Sequence, residues 1–149
     1  MQLLNGLLKD LKIEVVKWHD AENHLRQIRA NVFIEEQNVP EELEWDEYDQ
    51  DCVHVIVWTN NIAIATGRLL EAGQIGRMAV LKKYRNTGIG KKVLAKLLSI
   101  AEVKNLENVF LHSQVKAIEF YKKFGFEVEG DVFDDAGIPH IKMTKKLDK

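Results

Sequence analysis

A short glycine-containing run is the part of the sequence most suited to holding a ligand. Residues 85–90 are RNTGIG, between a predicted strand and a long predicted helix. Glycine lets the backbone approach a ligand closely. The first turn of a helix presents unpaired N–H groups at the positive end of the helix dipole. The run therefore predicts a phosphate site, and a pyrophosphate is its natural ligand.

Two other phosphate motifs do not match this run. A P-loop needs G-x-x-x-x-G-K-[ST], which the positions of Gly88 and Gly90 do not fit. The dinucleotide fingerprint G-x-G-x-x-G fails because Val93 occupies the place of its last glycine. An R-x-x-G-x-G run is by itself weak evidence for a phosphate site. The alternative interpretation is a strand-to-helix turn whose glycines allow close packing.

Acidic residues are concentrated in one stretch of the chain. No lysine or arginine lies between Arg29 and Arg68, a stretch that holds nine Asp or Glu residues, whereas lysines are frequent from Lys82 onward. One interpretation is a solvated acidic loop opposite a solvated basic helix. The other is a mouth that attracts a cation on one side and an anionic cofactor on the other.

Hydrophobic periodicity predicts the elements that must position these residues. An apolar stripe from Ile89 to Ala101 predicts an amphipathic helix. A first helix is predicted after residue 19. A short helix is predicted at 116–124 and ends at Gly125, and residues 37–51 are predicted to form a loop. Alternating or β-branched runs predict strands at 11–18, 53–58, 62–70, 74–81, 108–112, 126–128 and 138–144.

This order of elements predicts the fold class. A three-strand meander favours antiparallel pairing, and the strand–helix–strand unit after it favours one parallel step through a right-handed crossover. We therefore expect an α/β (α+β) fold with a mixed, mostly antiparallel sheet and helices on both faces. The 149 residues suit a single domain covering 1–149.

Composition limits the function classes and the compartment. A net charge of -2 provides no overall basic field for nucleic acid. No stretch approaches the roughly 20 apolar residues that span a bilayer, and residues 1–11 show no signal-peptide cleavage site. We expect a cytoplasmic protein with no nucleic-acid or membrane partner.

Cysteine and metal chemistry are not indicated. The single cysteine, Cys52, cannot form an intramolecular disulfide and has no histidine at catalytic sequence spacing, so we interpret it as a small buried hydrophobe. His54 lies in an apolar strand and is interpreted as structural. No C-x-x-C or H-E-x-x-H pattern is present, so no metal is implied.

Two longer motifs resemble the GNAT N-acetyltransferase superfamily. Residues 75–94 (IGRMAVLKKYRNTGIGKKVL) are similar to its acetyl-coenzyme A motif, and residues 117–126 contain its A-x-x-FY-x-x-x-GF signature. The predicted element order agrees with the GNAT fold. Residues 28–49 resemble a bacterial subgroup of largely unassigned acetyltransferases, and Gly137 to His140 is similar to a segment of glyphosate-type N-acetyltransferases.

The resemblance implies how acetyl-coenzyme A would bind. The backbone before the loop would pair with the pantetheine arm, and an N–H near Val80 would polarise the thioester carbonyl. Gln114 stands where the family commonly has an asparagine that binds pantetheine. The implied cofactor-binding set is Met78, Ala79, Val80, Arg85, Asn86, Thr87, Gly88, Ile89, Gly90, Lys91 and Gln114.

The resemblance also implies an acid and a base. Tyr121 matches the family tyrosine near the coenzyme sulfur and could protonate the departing thiolate; the alternative is a core aromatic. His140 leads as general base because a matching histidine serves in the glyphosate-type enzymes and imidazole titrates near working pH; the alternative is a histidine fixed in the sheet. Glu36, Asp46 and His112 are weaker candidates.

The acceptor side is less defined. The carboxylates of Glu36 and Asp46 could attract a cationic amine, and Arg29 and Arg77 could contact an anionic group or form ion pairs. The resemblance implies direct acetyl transfer to a primary amine of a small molecule or peptide in a ternary complex, and it is compatible with a homodimer. The alternative is a GNAT-fold module that binds acetyl-coenzyme A without turnover.

Overall fold

The structure is a computed structural model that describes residues 10–147. Residues 1–9, where the sequence predicts no cleaved signal, and 148–149 lie outside the described residues. The strands are β1 Lys12–Val16, β2 Val53–Thr59, β3 Ile62–Leu69, β4 Gln74–Val80, β5 Asn108–Gln114, β6 Glu127–Asp135 and β7 Ile138–Lys146. The α-helices are α1 Trp18–Arg29, α2 Glu41–Glu44, α3 Ile89–Val103 and α4 Ile118–Lys122.

The strands form one seven-stranded sheet in the order β1-β2-β3-β4-β5-β7-β6. The β4–β5 pair is parallel and the other neighbouring pairs are antiparallel. Asn60 and Asn61 form the β2–β3 turn at φ 49° and 64°, conformations that Asn tolerates in a two-residue hairpin. The predicted mixed, mostly antiparallel sheet is confirmed.

Helices cover both faces of the sheet. Successive strand residues point to opposite sides, so a strand with consecutive apolar residues has an apolar surface on each face that a helix can cover. Val55 and Val57 of β2 belong to the core cluster that contains the apolar stripe of α3. Ile56, between them, belongs to a second cluster with Leu25 and Ile28 of α1. The prediction of helices on both faces is confirmed.

Some element ends shift by a few residues, and Trp18 begins α1 instead of ending β1. The larger differences from the expected elements lie in three places. After Arg29 the first helix continues as a π-helical segment, Ala30–Glu36. The predicted loop at 37–51 contains α2 and a 3-10 helix, Glu47–Gln50, which Asp46 caps by accepting a hydrogen bond from the Tyr48 N–H. The strand predicted at 126–128 extends to Asp135, because β6 pairs with β7 across a bulge that interrupts its pattern.

Within residues 10–147, no helix combines the length and apolarity needed to cross a membrane.

Candidate active site

A cavity opens where β4 and β5 stop pairing. The two strands are paired at Gln74–Phe110 and Ile75–Leu111, near the start of β4. Further along, Val80 of β4 and Gln114 of β5 line a cavity of about 480 Å³. This volume is typical of small-molecule sites, which range over about 300–1,000 Å³.

A bulge in β4 lies at the edge of this cavity. Between the pairs Thr66–Ala79 and Arg68–Gly76, two residues of β4 oppose one residue of β3. Arg77 adopts φ 50° in this bulge, a conformation that costs a non-glycine residue about 1–3 kcal/mol. The three residues predicted to pair with pantetheine all line the cavity: Met78 lies in the bulge, and Ala79 and Val80 follow it.

The glycine-containing loop leads into the N-terminus of α3. Gly88 is the N-cap at φ 85°, and no side chain caps this end of the 15-residue helix. A Cβ atom at Gly88 would meet nothing within 4 Å, so space is open beside the helix N-terminus. The geometry fits an anion site formed by backbone N–H groups.

The residues of the predicted phosphate set occupy different parts of this loop. Arg85 and Gly90 line the cavity. Asn86, at φ 63°, and Lys91 are exposed, whereas Ile89 is 1% exposed and packs in the core. The Thr87 hydroxyl donates to the Tyr84 carbonyl and fixes the turn. Any contact that Ile89 offers to a ligand is therefore through its backbone.

Arg85 connects the loop to β4 and to the π-helical segment. Its Nε donates to the Val80 carbonyl at 2.9 Å, and its two terminal nitrogens donate to the Glu36 carboxylate at 2.8 and 2.6 Å. The hydrogen bond from Arg85 lowers the pKa of Glu36. Glu36, predicted on the acceptor side, thus lies against the predicted phosphate loop and does not line the cavity.

Tyr121 lines the cavity from α4. Its hydroxyl lies 3.8 Å from the Met78 sulfur, and its ring makes edge contacts with Phe120 and Phe126 at centroid distances of 5.1 and 5.9 Å. Burial raises the pKa of Tyr121 to about 12, so the phenol stays protonated at neutral pH. Tyr121 is both a packed aromatic and a protonated hydroxyl beside the predicted pantetheine path.

His140 lines the cavity from β7, next to Gln114 across the β5–β7 pair. Its Nδ1 lies 2.8 Å from the Ile138 carbonyl. A carbonyl oxygen only accepts, so Nδ1 is assigned the proton and Nε2 of the neutral ring carries the free lone pair. The ring stacks on Phe133 at a centroid distance of 6.1 Å.

His112 lies on the other side of Phe133. Its ring meets Phe133 edge-on at a centroid distance of 5.1 Å, and it also lines the cavity. Burial lowers the pKa of His112, partly opposed by the negative charge of Asp135. The structure therefore brings His112 and His140, the two histidines considered as general base from the sequence, to one wall of the cavity.

Gln114 forms a contact that the sequence did not predict. Its Nε2 donates to Oε1 of Gln37 at 2.9 Å, which joins the end of β5 to the residue after the π-helical segment. Both glutamines line the cavity. No spacing signal links positions 77 residues apart, so the pair was not identifiable from the sequence.

Three of the nine acidic residues between Arg29 and Arg68 form a closed ring of ion pairs with three arginines. Going round the ring, Arg29–Glu44 is 2.8 Å, Glu44–Arg77 3.2 Å, Arg77–Asp46 3.2 Å, Asp46–Arg68 2.7 Å, Arg68–Asp49 2.7 Å and Asp49–Arg29 2.7 Å. Three arginines and three carboxylates alternate, so each charge has an opposite neighbour on either side. For Glu44, Asp46 and Asp49, neither the solvated loop nor the cation-attracting mouth describes the structure.

The ring changes the interpretation of the proposed acceptor residues. Arg29 is 0% exposed and does not line the cavity, and Asp46 does not line it either. Both form ion pairs within the ring, so we do not retain them as acceptor contacts. Arg77 does line the cavity, but its guanidinium is bound to Glu44 and Asp46.

Cys52 has a histidine neighbour that sequence spacing did not indicate. Its sulfur lies 3.4 Å from Nε2 of His54, because residues two apart share one side of extended backbone. That nitrogen also lies 2.8 Å from the Asp49 carbonyl. Burial raises the pKa of Cys52 to about 11 and lowers that of His54, so the thiol remains neutral.

In residues 10–147, no three or more His, Cys, Asp and Glu side chains cluster in a way that could hold a metal ion.

Comparisons of the sequence and of the fold with known proteins agree on one family. Residues 18–147 match the family model described as an acetyltransferase (GNAT) domain. YyaT of Bacillus subtilis is 39% identical over 83% of this chain and 87% of its own length. YjcF of the same organism, named an uncharacterized N-acetyltransferase, is 36% identical over 79% of this chain and 87% of its own length. The crystal structure of an acyl-CoA N-acyltransferase from Pseudomonas aeruginosa aligns with a TM-score of 0.82 at 29% identity, covering 91% of this chain and 99% of that one.

Proposed function

The chain belongs to the GNAT acetyltransferase family, and on that premise we propose that it transfers the acetyl group of acetyl-coenzyme A to a primary amine. One observation carries the proposal. Tyr121 and His140 line the same cavity, whose border includes Arg85 and Gly90 of the loop before α3. A proton donor, a proton acceptor and an anion site are thus combined at one opening in the sheet.

The donor would be held mainly by backbone groups. The uncapped N-terminus of α3 would bind the pyrophosphate, and the β4 edge at Met78, Ala79 and Val80 would pair with the pantetheine arm. Gln114 offers both a carbonyl oxygen and an amide donor to the same arm. The open space beside Gly88 is compatible with close approach of the phosphates.

The reaction follows from the two side chains. Nε2 of His140 takes the proton that the amine loses as its nitrogen forms a bond to the thioester carbonyl carbon. The backbone N–H near Val80 would stabilise negative charge on the carbonyl oxygen. Tyr121 gives its proton to the sulfur as the carbon–sulfur bond breaks. The products are the N-acetylated amine and free coenzyme A, and solvent restores both protonation states.

The test begins with binding. Calorimetric titration of acetyl-coenzyme A into the wild type and Gly88→Trp, with ATP as a second ligand, measures whether the loop holds the donor. Gly130→Trp is the matched control, because Gly130 also has a positive φ of 83° and open space but lies in β6 and does not line the cavity. We expect saturable binding that prefers acetyl-coenzyme A and is lost in Gly88→Trp alone.

Turnover is measured next as release of free thiol with a panel of primary amines. Amine-dependent thiol release supports the acetyltransferase. Tight binding of acetyl-coenzyme A without turnover on any amine would support a non-catalytic binding module instead. Absence of binding to the wild type would contradict both functions.

A further inference from the structure

One wall of the cavity is apolar and comes from the N-terminal half of the chain. Val32 and Phe33 belong to the π-helical segment, and Val39 and Leu43 follow it. Two backbone hydrogen bonds fold this stretch: Val39 N–H donates to the Phe33 carbonyl at 2.8 Å, and Leu43 N–H to the carbonyl of Pro40 at 2.9 Å. The wall is therefore built from a locally fixed backbone.

Leu43 is the exposed part of this wall. Val32 and Val39 are 4% and 9% exposed, whereas Leu43, which also lines the cavity, is 55% exposed. Removing the leucine side chain from water is favourable. A ligand with an apolar body that lies over Leu43 would gain more of this free energy than a polycation, whose short methylene segments carry ammonium groups that must stay solvated.

The charges of the cavity do not favour a polycation. Among residues 10–147, the carboxylates that line it are Glu44 and Asp135. Glu44 is 4% exposed in its side chain and lies 2.8 Å from Arg29 and 3.2 Å from Arg77, so its charge is already balanced. Arginine and lysine side chains line the same cavity at Arg77, Arg85 and Lys116. Of the carboxylates between Arg29 and Arg68, only Glu44 therefore lines the cavity, and its charge is paired with arginines.

The polar groups that remain for an amine lie on a second wall. His112 and His140 line it from β5 and β7, and Asp135 lies at the end of β6. Phe133 contacts both imidazole rings and holds them on one side of the sheet. The cavity therefore combines an apolar wall with a wall of two histidines.

Building on the proposed function, we propose that the acceptor is a small primary amine attached to an apolar body, such as an arylalkylamine. The body lies against Val32, Phe33, Val39 and Leu43, and the amine faces His140. Polycationic amines such as polyamines and aminoglycosides, which a cation-attracting acidic mouth would suit, are poor acceptors.

Two amines test this selectivity in the full chain: 2-phenylethylamine for the proposed class and spermidine for the polycations. Free thiol release gives kcat and KM for each amine. We expect kcat/KM for 2-phenylethylamine to exceed that for spermidine by at least tenfold. Leu43→Gln should raise KM for 2-phenylethylamine about fivefold and leave KM for spermidine unchanged. Leu43→Glu should shift the preference toward spermidine.

The control is Ile62→Gln, since Ile62 is 51% exposed but lies at the β2–β3 turn and does not line the cavity. It should leave both amines unaffected. A wild type that prefers spermidine, or a Leu43→Gln variant that weakens both amines equally, overturns the inference and leaves the acetyltransferase function intact. A protein that binds acetyl-coenzyme A and acetylates neither these amines nor the wider panel overturns the proposed function as well.

Discussion

Arg85 and Glu36 form a two-bond ion pair, at 2.8 and 2.6 Å, between the predicted phosphate loop and the end of the π-helical segment. Each side chain is 35% exposed. Arg85 is also anchored to the Val80 carbonyl, so its direction is fixed from two sides. A pyrophosphate at the N-terminus of α3 would compete with the Glu36 carboxylate for the same guanidinium nitrogens.

Glu36→Gln should therefore tighten acetyl-coenzyme A binding by up to about fivefold, since exposed ion pairs are worth about 0–1 kcal/mol. Arg85→Ala should weaken binding and reduce its salt dependence. Calorimetric titration at two ionic strengths measures both effects, with Glu35→Gln, an exposed neighbour, as the control. Weaker binding by Glu36→Gln would show instead that Glu36 orients Arg85 for the phosphates.

Tyr121→Phe should lower kcat about 10²-fold while leaving the dissociation constant of acetyl-coenzyme A unchanged, because the change removes a proton donor and keeps the ring. The exposed Tyr48 gives the matched control, Tyr48→Phe. The protonated phenol is the working form and its pKa is about 12. Its ionisation should therefore not limit the rate of the wild type below about pH 11. Equal kcat for Tyr121→Phe and wild type would assign Tyr121 to packing alone.

His140→Gln should reduce kcat/KM about 10²-fold, because the amine loses its proton acceptor. His112→Gln, on the same wall, is the comparison and should lower kcat/KM by no more than about threefold, because it keeps the proton acceptor. Steady-state rates with one amine distinguish the two histidines. A large loss of kcat/KM in His112→Gln with near-wild-type activity in His140→Gln would assign the base to His112.

Asp49→Asn should destabilise the fold by about 3–5 kcal/mol, because Arg29 and Arg68 would lose a carboxylate inside a buried ring. Urea unfolding measures the loss, and the exposed Asp51→Asn is the control. A change below about 0.5 kcal/mol would mean that the rest of the ring compensates for the missing charge.

The same ring predicts a pH dependence of stability. Burial opposes ionisation of all three carboxylates. The arginine partners overcome it at Asp46 and Asp49, whose folded-state pKa values are lowered, whereas burial prevails at Glu44, whose folded-state pKa is raised. The acid sensitivity therefore comes from the two aspartates. A lowered carboxyl pKa stabilises the fold above the unfolded-state value and loses that contribution as pH falls through the folded-state value. The melting temperature of the wild type should fall below about pH 4, and in Asp49→Asn it should fall less steeply. Parallel acid profiles for the two proteins would contradict this.

Most of the fold could be predicted from the sequence because its signals are local. The apolar stripe of α3, the glycine-containing turn before it and the Asn60–Asn61 turn each depend on residues close together in the chain. The π-helical segment and the length of β6 were missed. The first continues a helix with no change in apolar spacing, and the second has an exposed, polar pattern that its partner β7 stabilises.

The candidate site could be predicted where backbone geometry defines it and not where side-chain partners do. The glycine loop could be identified from its residues, and the resemblance to the GNAT superfamily pointed to the β4 edge, Tyr121 and His140, which all line the cavity. The pairing of Arg29 with Asp49 and of Gln37 with Gln114 is visible only in the folded chain. Turns and amphipathic periods are specified by neighbouring residues, whereas the partner of a charge or an amide depends on how distant segments pack. For that reason three carboxylates of the acidic stretch lie in a ring of ion pairs, and apolar residues from the same half of the chain line the cavity.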